Sequence, residues 1–266
     1  MKPFLKWAGG KYRIIDKIRA ALPPGNRLVE PFAGSGAVFL NMDYSANLIT
    51  DSNPDLINLF IQVQSGGADF VEYCQQFFIS DNNQADAFYH LRSTMNNSND
   101  LQLKAALFIY LNRHCFNGLC RYNSKGEFNV PFGRYAKPML PKQELLNFWS
   151  KSQSAKFELA DFSTTMNRAE VGDIVYCDPP YVPLTTTANF SDYTKEKFGV
   201  TAQQQLADLA GELMHKGIPV VISNHDTEFT RIAYSSAKIQ TFDVRRSISR
   251  DAGNRHSVGE LLAIFR

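Results

Sequence analysis

Asp178-Pro179-Pro180-Tyr181 follows the apolar run Ile174-Val175-Tyr176-Cys177 without a break. A buried strand that ends on a carboxylate places it at the carboxyl edge of the sheet, where open α/β sheets bind ligands. Pro179 and Pro180 lack N–H donors and stiffen the turn, so a backbone carbonyl beside Asp178 is held facing a ligand. Tyr181 offers a ring face on which a flat heterocycle can stack. An aromatic amine is a poor nucleophile because its lone pair is delocalised into the ring. Methylating it requires acceptors that draw its hydrogens out of plane, which Asp178 and the adjacent carbonyl can supply. The plainer reading is a Pro-rich corner between a strand and a helix.

A second constellation lies near the N-terminus. Leu28-Val29-Glu30-Pro31-Phe32-Ala33-Gly34-Ser35-Gly36 reads as a short strand, a glycine-rich turn and then a helix from about Ala37. Phe39 stands where a dinucleotide fingerprint needs its third Gly, so a nicotinamide cofactor is disfavoured. Asp51 ends the next strand, where a carboxylate can accept hydrogen bonds from both hydroxyls of an adenosine ribose. Taken singly, a tight turn and a strand-ending Asp account for the same residues. Trp7-Ala8-Gly9-Gly10-Lys11 is no phosphate loop, because Tyr12 follows the lysine and the upstream Gly is absent. Its indole and ammonium can instead pack on and pair with a charged adenosyl ligand. The five histidines show no metal spacing, and His225 in Asn224-His225-Asp226 reads as a capped turn.

The elements that must carry these residues alternate. Leu28-Val29 and Asn47 to Thr50 read as strands in βαβ order, and Asn53 before Pro54 reads as a helix N-cap, with the helix running to about Gln64. From about Ala68 to Arg113 the apolar spacing is helical throughout, which predicts a helical insert. Residues 114 to 140 mix Gly, Pro, aromatic and basic residues, as a hairpin or ordered loop would. Strands return at Lys156 to Ala160, Asp173 to Cys177, Ile218 to Ser223, Lys238 to Arg245 and Glu260 to Phe265, with a helix over Thr201 to His215. The insert therefore interrupts a single α/β domain.

At 266 residues, 44% apolar and 20% charged, the chain has a globular balance and can bury roughly 75% of its unfolded surface. The four cysteines lack C-x-x-C spacing, which predicts a reduced, cytoplasmic setting. The N-terminus has no signal-peptide core, and no apolar run approaches the roughly 20 residues of a membrane span. A net charge of +2 decides nothing, but its distribution is uneven. Lys2, Lys6, Lys11, Arg13, Lys17 and Arg19 face Asp16 alone; Arg113, Arg121, Lys125, Arg134, Lys137 and Lys142 face Glu127 alone; Arg245, Arg246, Arg250 and Arg255 form a third cluster. Such clusters can track phosphates or be solvated faces.

Together these blocks resemble the Dam family of DNA adenine-N6 methyltransferases along nearly the whole chain. They run in order: F-L-K-W-A-G-G-K from Phe4, V-E-P-F-A-G-S-G from Val29, N-R-H-C-F-N-G-L-C-R-Y-N-S-K-G-E-F-N-V-P-F-G-R-Y from Asn112, Y-C-D-P-P-Y from Tyr176, I-S-N-H-D from Ile222 and V-R-R-S-I-S from Val244. The resemblance implies an α/β fold, a Rossmann-like S-adenosylmethionine-dependent methyltransferase sheet of seven strands with its last hairpin antiparallel. Residues 1–55 and 143–266 would form the catalytic domain, and 56–142 a helical target-recognition domain with a DNA-reading hairpin at about 114–137. Trp7, Lys11, Phe32, Gly34, Asp51 and Asp178 would bind S-adenosyl-L-methionine, released as S-adenosyl-L-homocysteine, and Asp178, Pro179 and Tyr181 would form the catalytic pocket without a metal. The substrate would be GATC in double-stranded DNA, with the adenine flipped out. Lys6 and Arg121 would read guanines, and Leu119, Pro131 and Tyr135 would contact other bases. Phe116 and Asn117 would enter the stack, while Arg92, Arg113, Asn123, Asn129 and Arg134 would grip phosphates. Phe116 stands where many members carry Tyr. Neither a membrane nor an obligate protein partner is expected. The rivals are an amino-methyltransferase for RNA, cytosine N4 or a protein amide, since D-P-P-Y alone fits several planar amines, and a DNA-binding regulator that keeps the fold without activity.

Overall fold

The computed structural model describes residues 1–181, 198–244 and 258–266. Seven strands, β1 (Arg27–Glu30), β2 (Ala46–Asp51), β3 (Ala155–Leu159), β4 (Asp173–Cys177), β5 (Val220–His225), β6 (Lys238–Val244) and β7 (Val258–Phe265), form one sheet in the order β3-β2-β1-β4-β5-β7-β6. β1 pairs parallel with β2 and with β4, and β4 with β5; β7 runs antiparallel between β5 and β6. This is an α/β sheet with an antiparallel last hairpin. β4 is buried along its whole length, as its unbroken Ile-Val-Tyr-Cys run demands of a strand covered on both faces.

The chain divides into two compact units. One contains Asp16–Phe32, Tyr44–Thr50 and Ala160–Arg266. Its core forms where helix α7 (Val200–His215) turns Leu206, Ala207, Ala210 and Leu213, spaced by three and four, onto Val175, Cys177, Val220 and Ile222 of the sheet. Arg27 and Asp173 tie the starts of β1 and β4 with two hydrogen bonds, Nε to Oδ1 at 2.9 Å and Nη2 to Oδ2 at 2.6 Å. The register that results pairs Val29 with Val175, so β1 and β4 end side by side.

The other unit contains Met1–Ile15, Ala33–Asp43 and Asp51–Leu159, and its middle is helical: α2 (Pro54–Gln75), α3 (Ala85–Asn97), α4 (Leu101–His114) and α5 (Lys142–Ser152). Asn53 caps α2 by accepting from Asp55 N and Leu56 N, with Pro54 in the first turn. The helix expected to end near Gln64 breaks at Gly67 (φ 51°, ψ −130°) and then resumes. A Cβ there would lie 2.7 Å from the Trp149 ring, so the break lets that ring approach. Phe4, Phe39, Phe60, Phe148 and Phe157 form the aromatic centre, with Phe4 edge-on to Phe148 at 5.1 Å.

One expectation is corrected. The helix from about Ala37 is a single 3-10 turn, Phe39–Asn41. Asn41 Nδ2 donates to the Ala37 carbonyl at 2.8 Å, where the next backbone N–H of a longer helix would have bonded, and the chain leaves extended at Met42. Between residues 114 and 140 only two isolated antiparallel bridges form, Cys115 with Phe132 and Tyr122 with Phe128, so the segment is an ordered loop with hairpin contacts. Four helices, α1 (Ile15–Ala21), α5, α6 (Phe162–Met166) and α8 (Glu228–Ala233), were not named from the sequence. Of the strand expected over Lys238 to Arg245, the last residue lies outside the described residues, as do Arg246, Arg250, Arg255 and most of the V-R-R-S-I-S block.

Candidate functional site

In the unit built around α7, three strand ends lie in a row: Phe32 follows β1, Asp178 follows β4, and Ser223 to His225 end β5. Asp178 is half-buried and its Oδ1 accepts from Ser223 Oγ at 3.1 Å. Ser223 Oγ also lies 3.0 Å from the Tyr176 hydroxyl. Pro179 is buried and Pro180 exposed; the Pro180 carbonyl accepts from Gln203 Nε2 at 2.7 Å. The Tyr181 ring stands edge-on to His225, with centroids 4.5 Å apart, and its hydroxyl reaches toward Glu260 Oε2 at 3.5 Å. Burial, followed by the Asp178 and Glu260 carboxylates, holds the Tyr181 phenol well above its usual range, so it is neutral and offers a ring. Phe32 is half-buried, stacked on Phe162 at 5.6 Å and edge-on to Phe198 at 5.4 Å. Asp178, Pro179, Tyr181 and Phe32 thus share the carboxyl edge of the sheet. The sequence reading did not single out Phe162 or Phe198; the signal for Phe162 is Asp161-Phe162, an acidic residue beside a ring just beyond β3.

The other unit holds the glycine-rich turn. Asp51 Oδ2 accepts from Gly34 N at 3.2 Å and Oδ1 from Asn53 N at 2.9 Å. Burial raises the Asp51 carboxyl above its ordinary value, against the lowering by the Asn53, Gly34 and Ser52 amides. A Cβ on Gly34 would lie 3.1 Å from Trp7 Nε1, so the indole lies against the turn. Lys11 is buried and donates from Nζ to the Gly9 carbonyl at 2.7 Å, while Gly10 N returns to the Trp7 carbonyl at 3.2 Å. Trp7, Gly34 and Asp51 are therefore neighbours, and Lys11 closes the loop that bears Trp7. A carboxylate acceptor beside a backbone turn and an indole face matches the ribose diol and base of an adenosyl group in the chemistry of its donors and acceptors.

The residues expected at DNA lie in the same unit. Lys6 Nζ sits 4.2 Å over the Tyr135 ring, and burial, then Arg113, lowers its ammonium from the usual value. Asn112, buried on α4, accepts from Lys6 N at 2.9 Å and donates to the Lys6 and Gly118 carbonyls. Phe116 is 51% exposed, and Leu119 N returns to its carbonyl at 3.2 Å. Arg121 donates from Nε to Asn129 Oδ1 at 2.8 Å and from Nη2 to the Asn129 carbonyl at 3.2 Å. Asn123 shapes the tip of the loop, its Oδ1 accepting from Lys125 N and Glu127 N. Pro131 is exposed and its carbonyl accepts from Phe116 N. Two non-glycine residues in the set adopt positive φ, Asn117 (53°) and Arg134 (54°), a conformation that costs about 1 kcal/mol or more each. Arg92 bonds the Val130 carbonyl at 3.0 Å and Arg113 the Met139 carbonyl at 3.2 Å, so both guanidiniums brace the loop from beneath.

Among the described residues no group of three or more His, Cys, Asp or Glu could hold a metal ion, and no helix is long and apolar enough to cross a membrane. A family model for D12 class N6 adenine-specific DNA methyltransferases matches residues 7–248. The chain is 51% identical over 266 residues to a DNA adenine methylase of Serratia marcescens, covering 100% of this chain and 98% of that one. It is 48% identical over 265 residues to the DNA adenine methylase of Escherichia coli K12 (100% and 95% covered) and 45% identical to that of Vibrio cholerae (99% and 96%).

Proposed function

The chain belongs to the D12 class N6 adenine-specific DNA methyltransferases, and from that premise we propose that it methylates the adenine of GATC in double-stranded DNA after flipping the base out of the helix. It is an adenine-specific DNA methyltransferase. S-adenosylmethionine, when bound, supplies an electrophilic sulfonium methyl. Trp7, Lys11, Phe32, Gly34, Asp51 and Asp178 would hold it, Asp51 through the ribose hydroxyls and Trp7 and Phe32 through their rings.

Asp178 and the Pro179 carbonyl accept the N6 hydrogens, which pulls the amino group out of the base plane and returns its lone pair to nitrogen. Tyr181 supports the base face. The nitrogen would attack the methyl directly, without a covalent enzyme intermediate: the N–C bond forms as the S–C bond breaks, the thioether S-adenosylhomocysteine leaves, and the proton the amine then loses passes to Asp178 and on to water. The amine becomes acidic only as that bond forms, so Asp178 need not be a strong base. Positioning and hydrogen bonding therefore carry the rate.

The helical segment 56–142, together with Lys6, reads the target. Lys6 and Arg121 donate to guanine O6 and N7 in the major groove, Leu119, Pro131 and Tyr135 touch other bases, and Phe116 with Asn117 fills the space the adenine leaves. Arg92, Arg113, Asn123, Asn129 and Arg134 lie along the backbone. A cytoplasmic setting without an obligate protein partner goes with this reading.

The observation that supports it is the position of Asp178-Pro179-Pro180-Tyr181 at the carboxyl end of β4, beside the β1 end that leads into Phe32. The test is to express the protein in cells lacking adenine methylation and digest their DNA with nucleases that differ in sensitivity to methylated GATC. Protection from the nuclease blocked by N6-methyladenine is expected; an unchanged digest in cells that make the folded protein would remove the GATC assignment.

A further inference from the structure

The I-S-N-H-D run, Ile222 to Asp226, has no role in the reaction above, yet its second residue touches the D-P-P-Y turn and its third reaches it through Gln203, from opposite faces of β5. Successive residues of a strand point to opposite sides. Ser223 points to the side of Tyr176 and Asp178, bonding both. Asn224 points to α7 and to Tyr234, which follows α8 (Glu228–Ala233).

We propose that Ser223 and Gln203 are positioning residues for methyl transfer, Ser223 setting the Asp178 carboxylate and Gln203, itself oriented by Asn224 and Tyr234, setting the Pro180 carbonyl and with it the turn. The inference rests on the role of Asp178 given above. Gln203 Oε1 accepts from Asn224 Nδ2 at 3.1 Å and from the Tyr234 hydroxyl at 3.3 Å, and the Tyr234 oxygen in turn accepts from Asn224 Nδ2 at 3.0 Å. Two donors on its oxygen fix which way the Gln203 amide faces, so its Nε2 end is directed at the Pro180 carbonyl at 2.7 Å. All four side chains, Ser223, Gln203, Asn224 and Tyr234, are at most 1% exposed. An apolar side chain would pack α7 onto the sheet without the desolvation cost of a buried amide. This network instead ends on a backbone carbonyl inside the D-P-P-Y turn.

On the other face, a hydroxyl bonded to one carboxylate oxygen restricts rotation of the Asp178 carboxyl about Cβ–Cγ. The amine of the target base then meets an acceptor already oriented. A misplacement of about 1 Å at a reacting group can cost roughly 100-fold in rate, so small rotations of this carboxylate or this turn are large in kinetic terms.

The experiment compares Ser223→Ala, Ser223→Thr and Gln203→Met with the unsubstituted protein on duplex DNA that the latter methylates. It measures the single-turnover rate at saturating S-adenosylmethionine and DNA, cofactor affinity by titration calorimetry, and melting temperature. Ser223→Ala and Gln203→Met should lower the rate about 10- to 100-fold while cofactor Kd moves less than about twofold and the melting temperature stays within a few degrees. Ser223→Thr, which restores the hydroxyl, should recover most of the rate. Rates within twofold of the unsubstituted protein would overturn the inference. So would a rate loss in step with loss of cofactor affinity and melting temperature, or a folded Ser223→Thr as slow as Ser223→Ala. Asp178→Ala run alongside separates the two readings. If it still turns over, the role of Asp178 falls and this inference with it; if it is inactive while Ser223→Ala keeps full rate, only the positioning role falls.

Discussion

The D-P-P-Y turn and the loop over residues 114–137 are held by opposite means. The turn is pinned by buried side chains that arrive from two other elements and the end of a third: Ser223 and Asn224 on β5, Gln203 on α7 and Tyr234 after α8. The loop is held mainly by its own short-range bonds and the α3 and α4 residues beneath it, with two isolated bridges and two residues in left-handed backbone. On the proposed reading, chemistry at one nitrogen tolerates little displacement, which fits a turn pinned by side chains that water cannot reach. A surface that meets many groups along a duplex needs exposed side chains, and Phe116, Arg121, Pro131 and Arg134 are exposed. The loop orients them locally, as Asn129 does for Arg121.

That contrast fails first at Asp178. Asp178→Ala should lower methyl transfer at least about 1000-fold, the loss of a principal acceptor at the reacting amine, while leaving DNA affinity and melting temperature near those of the unsubstituted protein. A filter-binding isotherm beside a tritiated-methyl assay checks both; transfer within tenfold of normal would remove Asp178 from the reaction. Arg121→Ala comes next. It should cost about 1–3 kcal/mol of discrimination at one guanine and leave the single-turnover rate on bound cognate DNA much less changed. Competition between the cognate duplex and one with that guanine replaced reads the loss directly. If the rate falls and discrimination holds, the division of labour between turn and loop is wrong.

The D-P-P-Y turn was legible because its parts are consecutive. An unbroken apolar run followed by D-P-P-Y can be read without knowing the fold, and β4 begins and ends where the pattern says. Asp51 was legible for the same reason, closing an apolar strand directly before an N-cap. What holds the turn was hidden, since Gln203, Ser223 and Tyr234 are ordinary residues in their own segments and acquire meaning only when β5 pairs with β4. The helix expected after Gly36 failed on a competition that sequence pattern does not weigh, a side-chain amide taking the carbonyl that helix growth required. By contrast α1 was visible in the spacing of Ile14, Ile15, Ile18 and Ala21, but its lysines and arginines read as a charge cluster.

Acid should test the loop's foundation more than the turn. His114, buried at the end of α4, lies 2.8 Å by Nδ1 from the Tyr110 carbonyl, and its own carbonyl accepts from Gly133 N in the loop. Burial first, with Lys6 and Arg113 adding to it, lowers its pKa to about 4 from 6.5. The unfolded chain therefore binds a proton that the folded one does not between those values, and stability falls as pH drops through that window. Between pH 7 and pH 5 the loss is about 2 kcal/mol, or roughly 4–8 °C in melting temperature. His114→Phe should flatten that dependence. A slope unchanged by the substitution would place the acid sensitivity elsewhere.

The smallest effect separates two roles for Asn129. If it grips a phosphate, Asn129→Ala weakens binding evenly across sequences. If its bond to Arg121 Nε is what matters, the substitution leaves a long side chain to be ordered on binding and erodes discrimination at the base Arg121 reads, by about 0.5–1.5 kcal/mol and less than Arg121→Ala itself. Salt cannot tell them apart, because a neutral amide releases no counterion and the slope of affinity against salt should stay put in both cases. A double-mutant cycle can: with Arg121 already alanine, Asn129→Ala should cost little more. Additive losses would mean that Asn129 touches DNA for itself, and the loop would then resemble the D-P-P-Y turn less in how it orients its side chains.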